Sequence, residues 1–289
     1  TNSGIVNLVR WAYGQGDAEI PTILNRLLEG AGDESERGDA QAAYDAHVAF
    51  GQLAGDTRSS IESTVQMLLR AYRSPRVQAS ARSSEITPDQ LLANNDTLYL
   101  IGDSHRSKLL RPIFLTLLQE LVDHAYHHAT VHGGRLPRPL LLCLDELGNV
   151  APLPNLAEIA STAPSHNIQL VSIFHDIAQA RARYGEQAHT VINSHRARML
   201  LPGVADLETL RYFSDLLGEQ RTRATKTGRP DERRALAAPE QLRQLDHGHA
   251  LLVYGRLPAT RVRLRTHYAD RHLRALNQAP DPRGVEGNS

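Results

Sequence analysis

The sequence predicts an α/β protein preceded by an all-helical unit. From residue 97 onward, short apolar runs alternate with stretches of helical periodicity. Most of those runs are apolar on both faces, as in strands of a parallel sheet covered by helices. The charge divides at the same place. Residues 1–97 hold 8 basic and 13 acidic side chains, a net of −5. The whole chain has 32 of each, so the remainder holds 24 against 19, a net of +5. Two units with different surfaces follow: 1–96 all-α, 97–275 α/β, and a disordered tail over 276–289.

In the first unit, Pro21 to Leu28 reads as a helix ended at Gly30, and residues 30–39 as a polar loop. Ser59-Ser60-Ile61-Glu62 has the form of a capping box, with Ile61, Val65, Leu68, Leu69 and Tyr72 recurring behind it at helical spacing. Thr87-Pro88-Asp89-Gln90 repeats the device with proline at the first helical position. Strands are predicted at Thr97–Ile101, Leu140–Leu144, Gln169–Phe174, Ala197–Leu201 and Ala250–Tyr254. Helices are predicted from Pro112 to about His132, over Leu156–Thr162, from Asp176 to Tyr184 closed by Gly185, and from Asp206 to Leu217 closed by Gly218. Alternation of strand and helix implies right-handed crossovers in one sheet. Residues 219–237 are polar, basic and punctuated by Gly and Pro, and read as a mobile loop.

Composition narrows the function. Hydrophobic residues are 41% and charged residues 22%, which fit a globular protein and argue against a disordered or membrane-embedded chain. Zero net charge excludes a uniformly basic nucleic-acid coat but leaves room for a local basic face. A single cysteine, Cys143, excludes an internal disulfide and a cysteine-based zinc site; mid-strand, it reads as inert core. No apolar run approaches the roughly 20 residues a membrane span needs. The opening Thr1-Asn2-Ser3-Gly4 has no initiator Met and no basic leader, and reads as the start of an excised piece.

The sharpest signal is Leu140-Leu141-Leu142-Cys143-Leu144-Asp145-Glu146, which sets two carboxylates at the carboxyl end of a buried strand. In open α/β sheets that edge binds ligands. An acid pair there can hold Mg²⁺ and activate a water for phosphoryl transfer; it can equally be a helix cap.

The flanks add a resemblance. Leu144-Asp145-Glu146-Leu147-Gly148-Asn149-Val150 continues through Pro152-Leu153-Pro154-Asn155-Leu156 and Ile159-Ala160-Ser161-Thr162. Then come Ile168–Phe174, Asp176-Ile177-Ala178-Gln179, Arg183-Tyr184-Gly185, Asn193, Pro239-Glu240-Gln241-Leu242-Arg243 and Ala250–Gly255 with Leu257-Pro258. In this order the chain resembles the coupling proteins of type IV secretion and conjugation (TraG/TraD-like), particularly actinobacterial forms, strongly over residues 90–270 and loosely before. The resemblance implies part of a RecA-like P-loop ATPase with an inserted all-α domain. It implies a hexamer at the cytoplasmic face of the cell membrane, moving DNA with its attached relaxase into the secretion channel with ATP and Mg²⁺. Asp145 would be the Walker B residue for Mg²⁺ and Glu146 the general base.

Three departures qualify that reading. No Walker A motif is present. In Gly102–Leu109, Ser107 replaces the second glycine and Leu109 the metal-binding Ser/Thr, so Lys108 reads as a solvated helix-start lysine. In the family the loop would precede Thr1, and this stretch alone is expected to bind no nucleotide. The trans-acting arginine of many relatives falls near Pro164 here. Where relatives carry a glutamine that senses the γ-phosphate stands His175, read either as that sensor or as a strand-end polar residue.

Other candidates are weaker. His124 and His128 are spaced to share a metal but border an apolar helix face, and half-buried histidines fit better. Arg221, Arg223, Lys226 and Arg229 in the basic loop, with Arg261, Arg263 and Arg265 alternating along a strand, are the DNA-contact candidates; their alternative is a solvated charged face. The rival functional readings are a degenerate docking module that recruits relaxase or substrate protein through the acidic helices, and a related DNA translocase or type VII secretion motor.

Overall fold

A computed structural model describes residues 4–102, 107–222 and 232–278. The chain divides into two compact units, residues 1–127 and 128–289. The division falls inside a long helix, well past the composition shift at residue 97.

The first unit is helical: α1 (Gly4–Ala12), α2 (Glu19–Glu29), α3 (Glu34–Gly51), α4 (Gly55–Leu69), α5 (Pro75–Ser80), α6 (Pro88–Ala93) and most of α7 (Ser107–Val131). Helix α2 ends where expected, the Gly30 N–H donating to Arg26 O. Asp33 caps α3 by accepting from Glu36 N–H at 2.8 Å, so the supposed loop over 30–39 is largely helix. Thr87 caps α6 as expected, accepting from Gln90 N–H. The capping box at Ser59 does not exist: α4 begins four residues earlier, at Gly55, with no side-chain cap. α1 and α4 are tied reciprocally. Tyr13 OH donates to Gln66 O at 3.1 Å and Gln66 Nε2 donates to Ala12 O at 2.9 Å. The stripe Ile61, Val65, Leu68 is exposed at 37–53%, not buried. Residues 97–101 form no strand; Tyr99 and Ile101 are 77% and 85% exposed. Helix α7 starts before Pro112, which lies inside it. His124 Nε2 bonds Asp89 Oδ1 at 2.6 Å, tying α7 to α6.

The second unit is α/β. Its elements are β1 (Leu140–Leu144), α8 (Leu147–Val150), α9 (Leu156–Thr162), β2 (Ile168–Ser172), α10 (Ile177–Tyr184), α11 (Gln187–Ser194) and β3 (Ala197–Leu200). Then follow α12 (Leu207–Leu217), β4 (Glu219–Thr222), β5 (Glu232–Ala235), α13 (Pro239–Arg243), β6 (His249–Tyr254), β7 (Thr260–Arg263) and α14 (Arg271–Gln278). β1 and β2 are parallel, Leu142 opposite Leu170. The other strands depart from an all-parallel sheet: β3, β6 and β7 pair antiparallel, in that spatial order, and β4 with β5 forms a separate ribbon where a loop was expected. α14 reaches Gln278, past the predicted start of the tail; residues 279–289 lie outside the described residues.

The parallel pair is buried on one face only. Leu142 and Leu144 are buried, whereas Leu141 is 59% and Val171 43% exposed, and Cys143 is exposed rather than core. Alternating side chains of a strand point to opposite faces, and the described elements cover one of them. Leu147, Leu153, Leu156, Ile159 and Ile168 pack as the largest fully buried side chains. A further cluster of Leu200, Leu210, Phe213, Leu242, Leu251 and Val253 joins α12 and α13 to the antiparallel sheet.

Helix α12 carries its predicted cap. Asp206 accepts from Thr209 N–H at 2.8 Å and from Thr209 Oγ1 at 2.7 Å, while that hydroxyl accepts from Ile177 N–H at 2.9 Å. The Thr209 hydroxyl and N–H hold the Asp206 carboxyl below the usual carboxylate range. Asp206→Ala is expected to lower stability by about 1 kcal/mol. A lowered folded pKa means the contribution is present above the unfolded pKa of roughly 3.9 and lost as pH falls through the folded value. The variant and the parent should therefore converge in urea midpoint as pH is lowered below about 4; a constant gap would contradict this.

Candidate functional site at the carboxyl edge of the parallel pair

β1 ends at Leu144 because the chain turns sharply there. Glu146 lies in the left-handed region, φ 50° and ψ 34°, a conformation that costs a non-glycine residue about 1–2 kcal/mol. Asp145 is exposed and half-engaged: its Oδ1 accepts from Glu146 N–H at 3.0 Å. The next turn is α8, with Asn149 and Val150 N–H donating to Glu146 O at 2.8 and 2.9 Å. Leu147 plugs the core under the turn, and its N–H donates to Ile173 O.

Both Glu146 carboxylate oxygens are held. Asn149 Nδ2 donates to Oε2 at 2.9 Å, and His175 Nε2 lies 3.0 Å from Oε1. The pair is an ion pair when the imidazole is protonated, and it sits in the open, 62% exposed at the histidine and 44% at the carboxylate. The turn is braced from α10. Asp176 caps that helix through Gln179 N–H at 2.6 Å, and Gln179 Oε1 accepts from His175 N–H at 2.9 Å. Arg183 donates through Nε and Nη2 to Gly148 O at 3.1 and 2.9 Å. Beside it, burial pushes the Tyr184 phenol up to about 12, with Arg183 opposing. Phe174 packs on Tyr184 edge to face, with ring centroids 6.2 Å apart.

Asp145, Glu146 and His175 are thus brought to one edge. Pro164 is exposed, on the 3-10 turn Ala163–His166, whose first residue is buried. Asn149, Gln179 and Arg183 fall in the segments that carry the resemblance but receive no site role from the sequence: Asn149 sits three residues after Glu146 on a short helix, and Gln179 and Arg183 act across the fold. Among the described residues no group of three or more His, Cys, Asp or Glu could hold a metal. His128 and His132 stack on each other, centroids 4.2 Å apart. Arg261 lies on β7, but the strand ends at Arg263, so the predicted alternation does not reach Arg265; both are exposed and each is engaged, by Asp246 and by Asp270. Arg263 is exposed and has no partner among the described residues. Arg221 lies on β4, opposite Arg233 in register; Arg223, Lys226 and Arg229 lie outside the described residues.

The parallel pair, with two acids beyond the end of β1 and helices against it, belongs to a mixed α/β fold that solved structures share. The unbound bacterial conjugative coupling protein TrwB superposes with a TM-score of 0.62 at 18% identity, covering 92% of this chain and 68% of that one. TrwB in complex with ADP and Mg²⁺ superposes with a TM-score of 0.61 at 17% identity, covering 81% and 55%. Residues 13–282 match the model of the type IV secretory system conjugative DNA transfer family, and the chain belongs to that family. Protein VirD4 of Rhizobium radiobacter is 23% identical over 268 residues, 87% of this chain and 38% of that protein. Protein VirD4 of Agrobacterium fabrum is 21% identical over 267 residues, 87% and 39% respectively. The chain therefore spans about two fifths of the length of these curated relatives. Among the described residues no helix is long and apolar enough to cross a membrane.

Proposed function

We propose that the chain is the helical and Walker-B-bearing part of an ATP-driven motor that couples DNA, with its relaxase, to a type IV secretion channel. Family membership and the exposed Asp145–Glu146–His175 edge support this reading. A hexamer at the cytoplasmic face of the membrane belongs to the same proposal. Asp145 suits magnesium: it is a hard oxygen donor, exposed, and its Oδ2 has no partner among the described residues. The metal, when bound with nucleotide, neutralises charge developing on the transferred phosphoryl group. Glu146 orients the attacking water and takes its proton at Oε1, the oxygen that His175 now occupies. Asn149 keeps the other oxygen and so the orientation of the carboxylate. His175 can turn from Glu146 to donate to a phosphate oxygen. Arg263, exposed and without a partner among the described residues, is a basic group available for sequence-independent contacts to DNA phosphates. The test is DNA transfer from cells in which the intact protein carries Asp145→Asn: transfer is expected to fall to background, and wild-type transfer would sink the reading.

The exposed stripe Ile61, Val65, Leu68 and the acidic balance of residues 1–97 favour a second reading, docking of relaxase or substrate protein on the helical unit. Capture of relaxase by the chain, lost in Leu68→Glu, with no nucleotide turnover by the intact protein, would select it.

A further inference from the structure

The left-handed backbone at Glu146 is held locally by the Asn149 and Val150 N–H groups on its carbonyl, and α8, of four residues, is braced from outside as well. A helix leaves its last carbonyls without intrahelical partners. In α8 the chain departs at Ala151 with φ −145°, so the Gly148 carbonyl cannot be satisfied by continuing the helix. Arg183 fills that role with two donors on the one oxygen, from 35 residues away in sequence. The contact is close on the other side as well. Gly148 is buried against Gln179: a Cβ at this position would come within 3.0 Å of Gln179 Cδ. The same Gln179 amide oxygen accepts the His175 N–H. One helix, capped at its start by Asp176, therefore touches both partners of the Glu146–His175 contact: the backbone of His175 at one end and the turn behind Glu146 at the other.

We infer that Arg183, with Gln179, is a positioning residue for Glu146: α10 is the bracket that fixes the turn carrying the carboxylate and sets its separation from His175. The inference rests on the reading of Glu146 as the base in nucleotide hydrolysis. Arg183 touches neither of the carboxylate's oxygens. It acts through the Gly148 carbonyl, and a lysine, which offers one compact donor group in place of a planar fork, reproduces the contact only in part.

Two measurements test it. The first uses the 289-residue chain without nucleotide. Hydrogen exchange at Leu147, Asn149 and Val150, whose N–H groups hold the turn, should accelerate by about tenfold in Arg183→Ala and less in Arg183→Lys, with the β1 and β2 amides unchanged. Unchanged exchange at these three amides overturns the bracket. The second uses ATP hydrolysis by the intact coupling protein. Arg183→Ala should lower kcat by about tenfold with KM within about twofold, and adding it to Glu146→Gln should cause no further loss, as for residues acting as a unit. An unaltered kcat in Arg183→Ala, or a multiplicative loss in the double variant, refutes positioning while leaving the base assignment standing. Hydrolysis that survives Glu146→Gln overturns the base assignment instead, and the exchange measurement then decides alone whether Arg183 holds the turn.

Discussion

If Glu146 is the proposed base, Glu146→Gln in the intact protein is expected to bind ATP as the parent does and to hydrolyse it about 100- to 10,000-fold more slowly. Glutamine keeps the shape of the side chain, and its carbonyl oxygen can still accept from Asn149 Nδ2, so the turn and α8 should persist. What disappears is the capacity to take a proton from water. Asp145 is untouched, so any magnesium held there remains. The measurement is steady-state phosphate release beside equilibrium binding of a fluorescent nucleotide. Hydrolysis at near the parental rate would mean that the water is activated by another group.

Leu147→Ala is expected to lower stability by about 2–5 kcal/mol, because the side chain is 1% exposed and its removal leaves a cavity under the turn. Leu147 follows Glu146 directly, and its N–H is bonded to Ile173 O, so the cavity opens where the two strands end. Urea unfolding followed by far-ultraviolet circular dichroism should show an earlier midpoint for the second unit. A midpoint unchanged from the parent would show that the packing around Leu147 contributes little. The contrast with Glu146→Gln is useful: one substitution removes chemistry and keeps the scaffold, the other loosens the scaffold and keeps the chemistry.

Where a helix announces both of its ends in side-chain chemistry, the sequence located it closely. α12 runs from the Asp206 cap to Gly218, and α10 from the Asp176 cap to Gly185, because a short acidic acceptor and a glycine are each selected by the backbone groups they satisfy. The same residue types misled where they serve other ends. Ser59 and Glu62 are interior to α4, whose true start has no side-chain signature. Asp33 is a working cap hidden in a Gly-rich polar stretch. Thr97–Ile101 has strand-like composition, but composition says nothing about a partner, and the segment has none among the described strands. Two-sided apolarity marked β1, β2 and β6 as strands; pairing direction depends on the path of the chain, and the antiparallel β3–β6–β7 set was not readable from it. In the site, Asp145 and Glu146 were legible because they terminate an apolar run. His175 was reached only through a resemblance. The grip of Arg183 on Gly148 lies beyond any local pattern, since it joins two segments that meet only after folding.

The uncovered face of β1 has a practical corollary. The 289-residue chain has a single thiol, and that thiol is open to solvent on the strand that delivers Asp145. In this chain a maleimide fluorophore would attach at one known place, two residues from the carboxylate, with no engineered cysteine. Its emission would report directly on anything that settles over that surface, be it nucleotide, another subunit or the remainder of the polypeptide.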